Sequence, residues 1–239
     1  MNGTLGGLST PIGIVGCPDA TGAETCPQGT YERAEYVGAG AAEAAIAALE
    51  GPDAKVEQSP SIGFRRRSLF VQPTNTALSL LVITGLLPRV VYSADRKLIP
   101  EEQRPSLSLA SVLEGQVLIG TELNGLHVGP LAMAAVPGEL YPELWLVKGD
   151  GSSYIEQPEN ADFPDASLET PIQALLPPDV MPVVINNAND ALGYILPQAQ
   201  FDEATPHAYE EDGQYGEQNS VGYLMGPRIT EEFAAMYGK

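Results

Sequence analysis

The sequence predicts an α/β fold, with α+β as the alternative, in which mixed sheet layers are flanked by helices. Apolar runs of strand length alternate along the chain with stretches of helical composition, and no internal repeat is present. Hydrophobic residues make up 44% of the 239 residues. This is enough apolar material for a sizeable core without help from disulfides or metals.

The clearest predicted element is a helix over residues 31–50, which is rich in Ala, Glu, Leu and Ile. Gly51 and Pro52 follow this segment and end it. The preceding residues, 1–29, are rich in Gly, Thr and Pro, and they predict a loop.

The next two predicted elements are a strand and an apolar helix. Apolar residues lie among arginines over residues 61–71, which favours a strand. Thr74 is the predicted cap of a helix over residues 75–87, which holds the longest apolar run of the chain. That run is well short of the roughly 20 residues that span a bilayer. We therefore expect a buried core segment and no transmembrane segment.

The middle of the chain predicts a β-hairpin. Strand-like segments cover residues 115–123 and 126–136, and Asn124 and Gly125 separate them. An Asn-Gly pair between two apolar runs is a strong signal for a tight turn. A short helix is predicted to begin near Glu139.

The C-terminal part begins with residues 149–178, which are acidic, rich in Pro and poor in apolar residues. This composition predicts a long surface insertion. A short buried strand is predicted over residues 181–186, and an amphipathic helix over residues 230–237 closes the chain.

The charge balance argues against nucleic acid as a partner. The chain carries 31 acidic and 12 basic residues, for a net charge of -19. Binding to a phosphate backbone requires Lys and Arg side chains that displace counterions. The one basic cluster, residues 65–67, is too small for such a surface.

Cys17 and Cys26 flank a short loop of Gly, Asp, Pro and Thr. They form either a small disulfide ring, which would indicate an oxidising compartment, or two independent thiols. The sequence from Met1 onward has neither the basic region nor the apolar region of a signal peptide.

Two candidate site residues follow predicted strands, where rigid elements give way to loops. Glu139 ends the segment Val-Pro-Gly-Glu, although it could equally be the first-turn Glu of a helix, stabilised by the helix dipole. Tyr194 ends the segment NNANDALGY, although that stretch could equally be an ordinary Asx-rich turn. The two histidines, His127 and His207, complete no metal-binding motif. Ser9 is not part of a nucleophile elbow.

Three segments, taken in order, resemble the neutral/alkaline ceramidase family. Residues 131–140, LAMAAVPGEL, resemble the family strand that ends in V-P-G-E, whose Glu ligates the catalytic zinc. Residues 189–197, NDALGYILP, resemble the N-x-x-x-G-Y segment, whose Tyr completes the zinc shell. Tyr209 and Glu210, followed by Gly213, resemble the Y-E-G element.

The start of the chain adds a fourth, weaker similarity. Residues 2–11 resemble the family loop G-D-V-S-P, whose serine is proposed to be functional, although this chain reads GGLSTP. The resemblance extends to about residue 220. It implies a zinc-dependent amide hydrolase with Glu139 and Tyr194 as metal ligands and Ser9 as a catalytic candidate. It also implies a small-molecule or lipid amide substrate, a role in sphingolipid or other lipid metabolism, and a secreted or periplasmic location.

One departure from the family limits this expectation. The zinc histidines of the family lie upstream, partly in an H-x-H-type stretch, and this chain has no counterpart of that region. Residues 1–239 are therefore expected to be the C-terminal part of a catalytic domain whose N-terminal half is missing. Hydrolase activity is expected only if those histidines are supplied. The alternative is a non-catalytic, acidic, secreted module that binds a partner or calcium through residues 149–165 and 202–217, since calcium prefers oxygen ligands.

Overall fold

The computed structural model describes five stretches of the chain, residues 4–6, 17–19, 21–27, 29–209 and 214–239. The chain divides into two compact units, each described by itself below. The larger unit comprises Ser61–Lys239 together with Met1–Leu8, and the smaller unit comprises Ser9–Pro60.

The smaller unit contains the predicted long helix. Helix α1 spans Tyr31–Glu50, as predicted, and the Thr30 side chain caps it by accepting a hydrogen bond from the Arg33 amide. Gly51 is the C-terminal cap, in extended conformation. Both helix ends thus follow from local sequence signals.

The loop before α1 is closed by a disulfide between Cys17 and Cys26, whose Cα atoms are 5.5 Å apart. The two cysteines thus form the disulfide and are not independent thiols. Glu24, inside the ring, forms an ion pair with Arg33 of α1. The disulfide loop is therefore tied to the first turn of the helix.

The described residues of the larger unit form seven strands and six α-helices, which confirms the α/β class. The strands are β1 (Ile62–Val71), β2 (Val91–Ser93), β3 (Val117–Val128), β4 (Leu131–Ala135), β5 (Glu139–Leu140), β6 (Met181–Ile185) and β7 (Tyr194–Ile195). The helices are α2 (Thr76–Ile83), α3 (Leu109–Leu113), α4 (Pro142–Trp145), α5 (Ile172–Leu175), α6 (Tyr215–Gln218) and α7 (Met225–Tyr237). Short 3₁₀ turns cover Glu101–Ser106 and Gln198–Gln200.

The main sheet is mixed, with the strand order β1-β3-β4-β6, and β2 also pairs with β3. Strand β3 is antiparallel to β1, β2 and β4, whereas β6 is parallel to β4. The parallel pair β5–β7 forms a second, two-stranded sheet.

The core lies between one face of the main sheet and helix α7. Leu69 and Leu123 of the sheet are fully buried, as are Ile229 and Phe233 of α7. Helix α7 begins five residues earlier than the predicted start at residue 230, because Pro227 is tolerated in the first turn. Gly238, at a φ of 72°, ends it in the left-handed conformation that suits glycine.

The hairpin prediction at Asn124-Gly125 is wrong. Strand β3 runs through both residues, and Gly125 pairs with Arg65 of β1 and Ala134 of β4. A Cβ atom on Gly125 would overlap the hydroxyl of Tyr237 in α7. The glycine therefore permits a close approach of helix to sheet, and the chain turns instead between β3 and β4.

The apolar helix is shorter than predicted and has a different cap. Asn75, not Thr74, caps α2 by accepting a hydrogen bond of 3.0 Å from the Leu78 amide. The helix ends at Ile83, and Gly85 follows at a φ of 75°. Among the described residues, no helix combines the length and apolarity needed to cross a membrane.

Residues 149–178, predicted to form a surface insertion, also contribute side chains to the core. Ile155, Ile172 and Leu175 are buried in the hydrophobic core. Ile172, Leu175 and Leu176 have the i, i+3, i+4 spacing of one helix face, a local signal that the acidic, proline-rich composition of the whole segment masks. The segment thus contributes helix α5, which packs against α7.

The arginine cluster is used within the fold. Arg65 donates to the carbonyl of Met236 at 3.0 Å, and Arg67 forms an ion pair with Glu232 at 2.6 Å. Both contacts join strand β1 to helix α7.

Replacing Gly125 with Val tests its place beneath α7. We expect Gly125→Val to lower the free energy of unfolding by about 1–3 kcal/mol, because the added atoms would displace Tyr237 and Met236. Urea unfolding followed by circular dichroism measures this loss.

Gly63→Val is the matched control. Gly63 also lies in a strand, but its nearest neighbour would be an ordinary 3.7 Å contact with the His127 Cβ. This variant should be nearly neutral. Equal stability of both variants would contradict the close approach of α7 to β3.

Candidate active site

The two candidate site segments leave the sheet at the same edge. Strands β4 and β6 are parallel, and Ala135 pairs with Ile185 at their C-terminal ends. The segment that carries Glu139 follows β4, and the segment that carries Tyr194 follows β6. Parallel strands therefore deliver both segments to the place where α/β proteins commonly build their sites.

Glu139 lies in a strand rather than at the start of a helix, so the helix-dipole explanation of this residue is wrong. The amide of Glu139 donates to the carbonyl of Gly193 at 2.8 Å, and the amide of Tyr141 donates to Ile195 at 3.0 Å. These bonds form the parallel pair β5–β7, in which Glu139 stands directly opposite Tyr194. Helix α4 starts only after Tyr141.

Two glycines allow the segments to approach this closely. A Cβ atom on Gly138 would lie 2.5 Å from the carbonyl oxygen of Gly193. Gly193 itself has a φ of 83°, and a Cβ atom there would overlap the Asn219 carbonyl. A larger residue at position 138 would push β5 and β7 apart, and one at position 193 would push β7 away from the segment that carries Asn219.

The asparagine-rich loop is held to the β5 segment. Asn186 is buried, and its side-chain oxygen accepts a 2.8 Å hydrogen bond from the Leu140 amide. Asn187 and Asn189 have φ angles of 50° and 67°, a conformation that asparagine tolerates better than most residues. The Asx-rich turn is thus real, and it also positions Tyr194.

A charged anchor fixes the far side of this loop. Arg89, which follows α2, forms an ion pair with Asp190 and donates to the Ala191 carbonyl at 2.7 Å. Both side chains of the pair are mostly buried. Loss of one partner would leave the other without its counter-charge, which is costly at such a depth.

The side chains of Glu139 and Tyr194 lie close to each other. The Tyr194 hydroxyl is near enough to the Glu139 carboxylate for the charge of the carboxylate to act on it. Burial raises the pKa of Tyr194, and the negative charge of Glu139 and the neighbouring Tyr215 raise it further. The phenol of Tyr194 therefore stays neutral. Its oxygen and the carboxylate of Glu139 are two potential metal ligands that lie side by side.

Two more tyrosines complete this cluster, and sequence reasoning missed both. The rings of Tyr141 and Tyr215 lie edge-on to Tyr194, with centroid distances of 6.1 and 5.7 Å. Glu139 and Tyr141 are two residues apart on one extended segment, so their side chains share a face. This spacing is the signal that could have identified Tyr141.

The Y-E-G element of the family resemblance does not contribute its tyrosine to this cluster. Tyr209 instead donates its backbone amide to the carboxylate of Asp202. Glu210 and Gly213 lie outside the described residues.

Glu217 is a buried carboxyl group at the edge of the cluster. It is 4% exposed. Burial raises the pKa of Glu217 to about 7, and the acidic side chains of Asp202, Glu203 and Asp162 add to this shift. Burial, followed by the charge of Glu217, also raises the pKa of Tyr141.

The chain's two histidines lie elsewhere. His127 is on strand β3, with its ring 6.2 Å from that of Tyr237, and the His207 ring faces the backbone carbonyl of Asp202. Among the residues that the structure describes, no group of three or more His, Cys, Asp or Glu side chains is arranged to hold a metal ion. The carboxylate and phenol on β5 and β7 therefore offer two oxygen ligands, without a histidine beside them.

Ser9, the catalytic candidate, lies outside the described residues. Nearer the N-terminus, Gly6 donates its amide to the carbonyl of Leu140 at 3.0 Å. A Cβ atom on Gly6 would overlap the ring of Tyr141. The described part of the N-terminal segment thus packs on strand β5.

The acidic stretches proposed for calcium use several carboxylates to hold their own backbone. Asp162 accepts hydrogen bonds from the amides of Glu203 and Ala204 at 2.8 and 3.0 Å. Asp202, fully buried, accepts from the amides of Ala208 and Tyr209. These contacts give the acidic residues a structural role, and calcium binding stays a prediction.

Comparisons of the chain with protein-family models, with curated proteins and with solved structures found no match. The assignment of a function therefore depends on the geometry of the Glu139–Tyr194 pair and on the residues around it.

The raised pKa of Glu217 predicts a pH-dependent stability. The folded chain binds a proton more tightly than the unfolded chain, so its stability should fall as pH rises from about 4.5 to about 7. In Glu217→Gln this decrease should be smaller by an amount on the order of 3 kcal/mol. Urea unfolding at a series of pH values measures the difference.

Glu159→Gln serves as the control, because Glu159 is an exposed glutamate. Its pH profile should match that of the wild type. If Glu217→Gln also follows the wild-type profile, Glu217 is not the group that titrates.

Proposed function

We propose that the chain contributes the carboxylate and phenol ligands of a zinc-dependent amide hydrolase site of the neutral ceramidase-like type. The observation that carries this proposal is the pairing of Glu139 with Tyr194 across β5 and β7, which brings the carboxylate and the phenol near each other. The two residues lie opposite each other on the short strands β5 and β7, which follow the C-terminal ends of the parallel strands β4 and β6. The sequence resemblance assigns the same two residues as zinc ligands.

The chemistry of these donors suits a metal. Catalytic zinc accepts carboxylate oxygen among its ligands, and a cation near Glu139 and Tyr194 would favour the phenolate over the neutral phenol. When bound, zinc would polarise an amide carbonyl and lower the pKa of a coordinated water. The rigid β5–β7 pair would hold both ligands in place, and Tyr215 would offer a hydroxyl group beside them.

The proposal requires nitrogen ligands from another polypeptide segment. His127 and His207 face other partners, so the described residues supply only oxygen atoms. Such a segment would complete the site, and an N-acyl or lipid amide would be the substrate. The Cys17–Cys26 disulfide supports a secreted or periplasmic location, because disulfides persist in oxidising compartments.

A zinc titration of the full chain tests the ligand assignment. We expect weak binding accompanied by tyrosinate absorbance, because Tyr194 would lose its proton to the metal. Added imidazole, at constant free zinc, should strengthen this binding by supplying nitrogen ligands. Glu139→Gln should weaken binding at least tenfold, and Tyr194→Phe should abolish the tyrosinate signal.

Tyr36→Phe, in helix α1, is the control and should leave the signal unchanged. The chain alone should hydrolyse a fluorogenic N-acyl amide poorly. Robust turnover would contradict the need for further ligands. A missing tyrosinate signal, even with imidazole present, would contradict the zinc site.

A further inference from the structure

A polar groove of about 420 Å³ lies on the face of the main sheet opposite helix α7. On strand β1, Leu69 and Val71 point into the core, whereas Ser68 and Phe70 point to the other face. Across from them on β3, Phe70 pairs with Gly120 and Ser68 pairs with Glu122. A volume of this size falls within the range of small-molecule sites.

Aromatic rings line part of the groove, and a glycine lies beneath one of them. A Cβ atom on Gly120 would overlap the ring of Tyr92, so the glycine lets this ring lie against the sheet. Phe70 and Tyr92 pack edge to face with centroids 5.0 Å apart. Aromatic side chains fixed in this way present apolar surface without losing much conformational freedom.

One wall of the groove belongs to the loop that also carries Tyr194. Asn189 and Asp190 line the groove. The Asn189 amide donates to the side chain of Asn124, which is buried beneath the loop on β3. This wall is therefore anchored to the sheet and is formed before any ligand arrives.

The charges that face the groove are paired with one another. Arg66 and Glu122 form an ion pair at 2.5 Å, and Asp190 is paired with Arg89. The charged side chains that line the groove thus already have partners, and the guanidinium of Arg96 lies over the Phe70 ring, 5.2 Å from its centroid. A neutral ligand can use the remaining hydrogen-bonding capacity of both pairs.

The rest of the lining mixes donors with acceptors. Hydroxyl and amide groups come from Ser68, Tyr92 and Asn189. This composition differs from the mainly apolar lining of most small-molecule pockets. It suits a ligand that both donates and accepts hydrogen bonds and that presents an apolar face to Phe70 and Tyr92.

We propose that this groove binds a neutral saccharide, either a free sugar or the end of a glycan. Hydroxyl groups of the sugar would bond the Arg66–Glu122 pair and Asn189, and the C–H face of the sugar ring would lie on the aromatic rings. The proposal is independent of the zinc site, because neither Glu139 nor Tyr194 lines the groove.

Saturation-transfer NMR with the full chain tests this site. The probes are methyl glycosides of glucose, galactose and mannose, matching disaccharides, and glucose 6-phosphate as a charged comparison. We expect at least one neutral saccharide to bind. Ser68→Tyr, which fills the exposed side of the groove, should weaken binding at least tenfold. Tighter binding of disaccharides than of monosaccharides would identify the end of a glycan as the ligand.

Ser61→Tyr is the matched control, because Ser61 lies outside the groove and just before the same strand. It should bind as the wild type does. Glu122→Gln keeps the shape of the groove and should weaken binding at least threefold, so the test remains valid if Ser68→Tyr fails to fold. The absence of binding by every neutral saccharide, preferred binding of the phosphate, or unchanged binding in both groove variants would overturn the proposal.

Discussion

The parallel pairing of β4 with β6 is the constraint on which the candidate site depends. Neighbouring parallel strands end at the same edge of a sheet, so the segments that follow them start side by side. The short pair β5–β7 extends this arrangement beyond the main sheet, with Glu139 opposite Tyr194. Gly138 makes this approach possible, because a side chain there would meet the Gly193 carbonyl, and Gly193 in turn lets β7 lie close to Asn219.

The site that results is rich in oxygen atoms and poor in positive charge. The charges of Glu217 and Glu139 act on Tyr141, and the charge of Glu139 acts on Tyr194. Burial, followed by these charges, raises the pKa of both tyrosines, because burial and negative charge both penalise ionisation of a phenol. A bound cation would reverse this effect for Tyr194. The chain has a net charge of -19, and it carries acidic side chains outside this site as well. Two of them, Asp162 and Asp202, accept hydrogen bonds from backbone amides of loops.

The two faces of the main sheet have different roles. One face supplies Leu69, Val71 and Leu123 to the core beneath helix α7. The other face remains open and polar, and its groove is bounded by the same loop that presents Tyr194. The loop after β6 therefore belongs to two surfaces at once. Two contacts anchor this loop, the Arg89–Asp190 ion pair and the Asn189–Asn124 hydrogen bond. They therefore hold the candidate site and the groove in place together.

Local signals in the sequence determined helix α1, strand β6, the presence of the final helix and the choice of Glu139 and Tyr194 as candidates. Composition, caps and strand-end position act over a few residues, so they can be recognised without the fold. Only the tertiary structure decided that Gly125 lies under a helix, that Glu139 belongs to a strand, and that Tyr215 rather than Tyr209 reaches the site. Each of these depends on contacts between residues distant in the chain, for which the local sequence carries no signal.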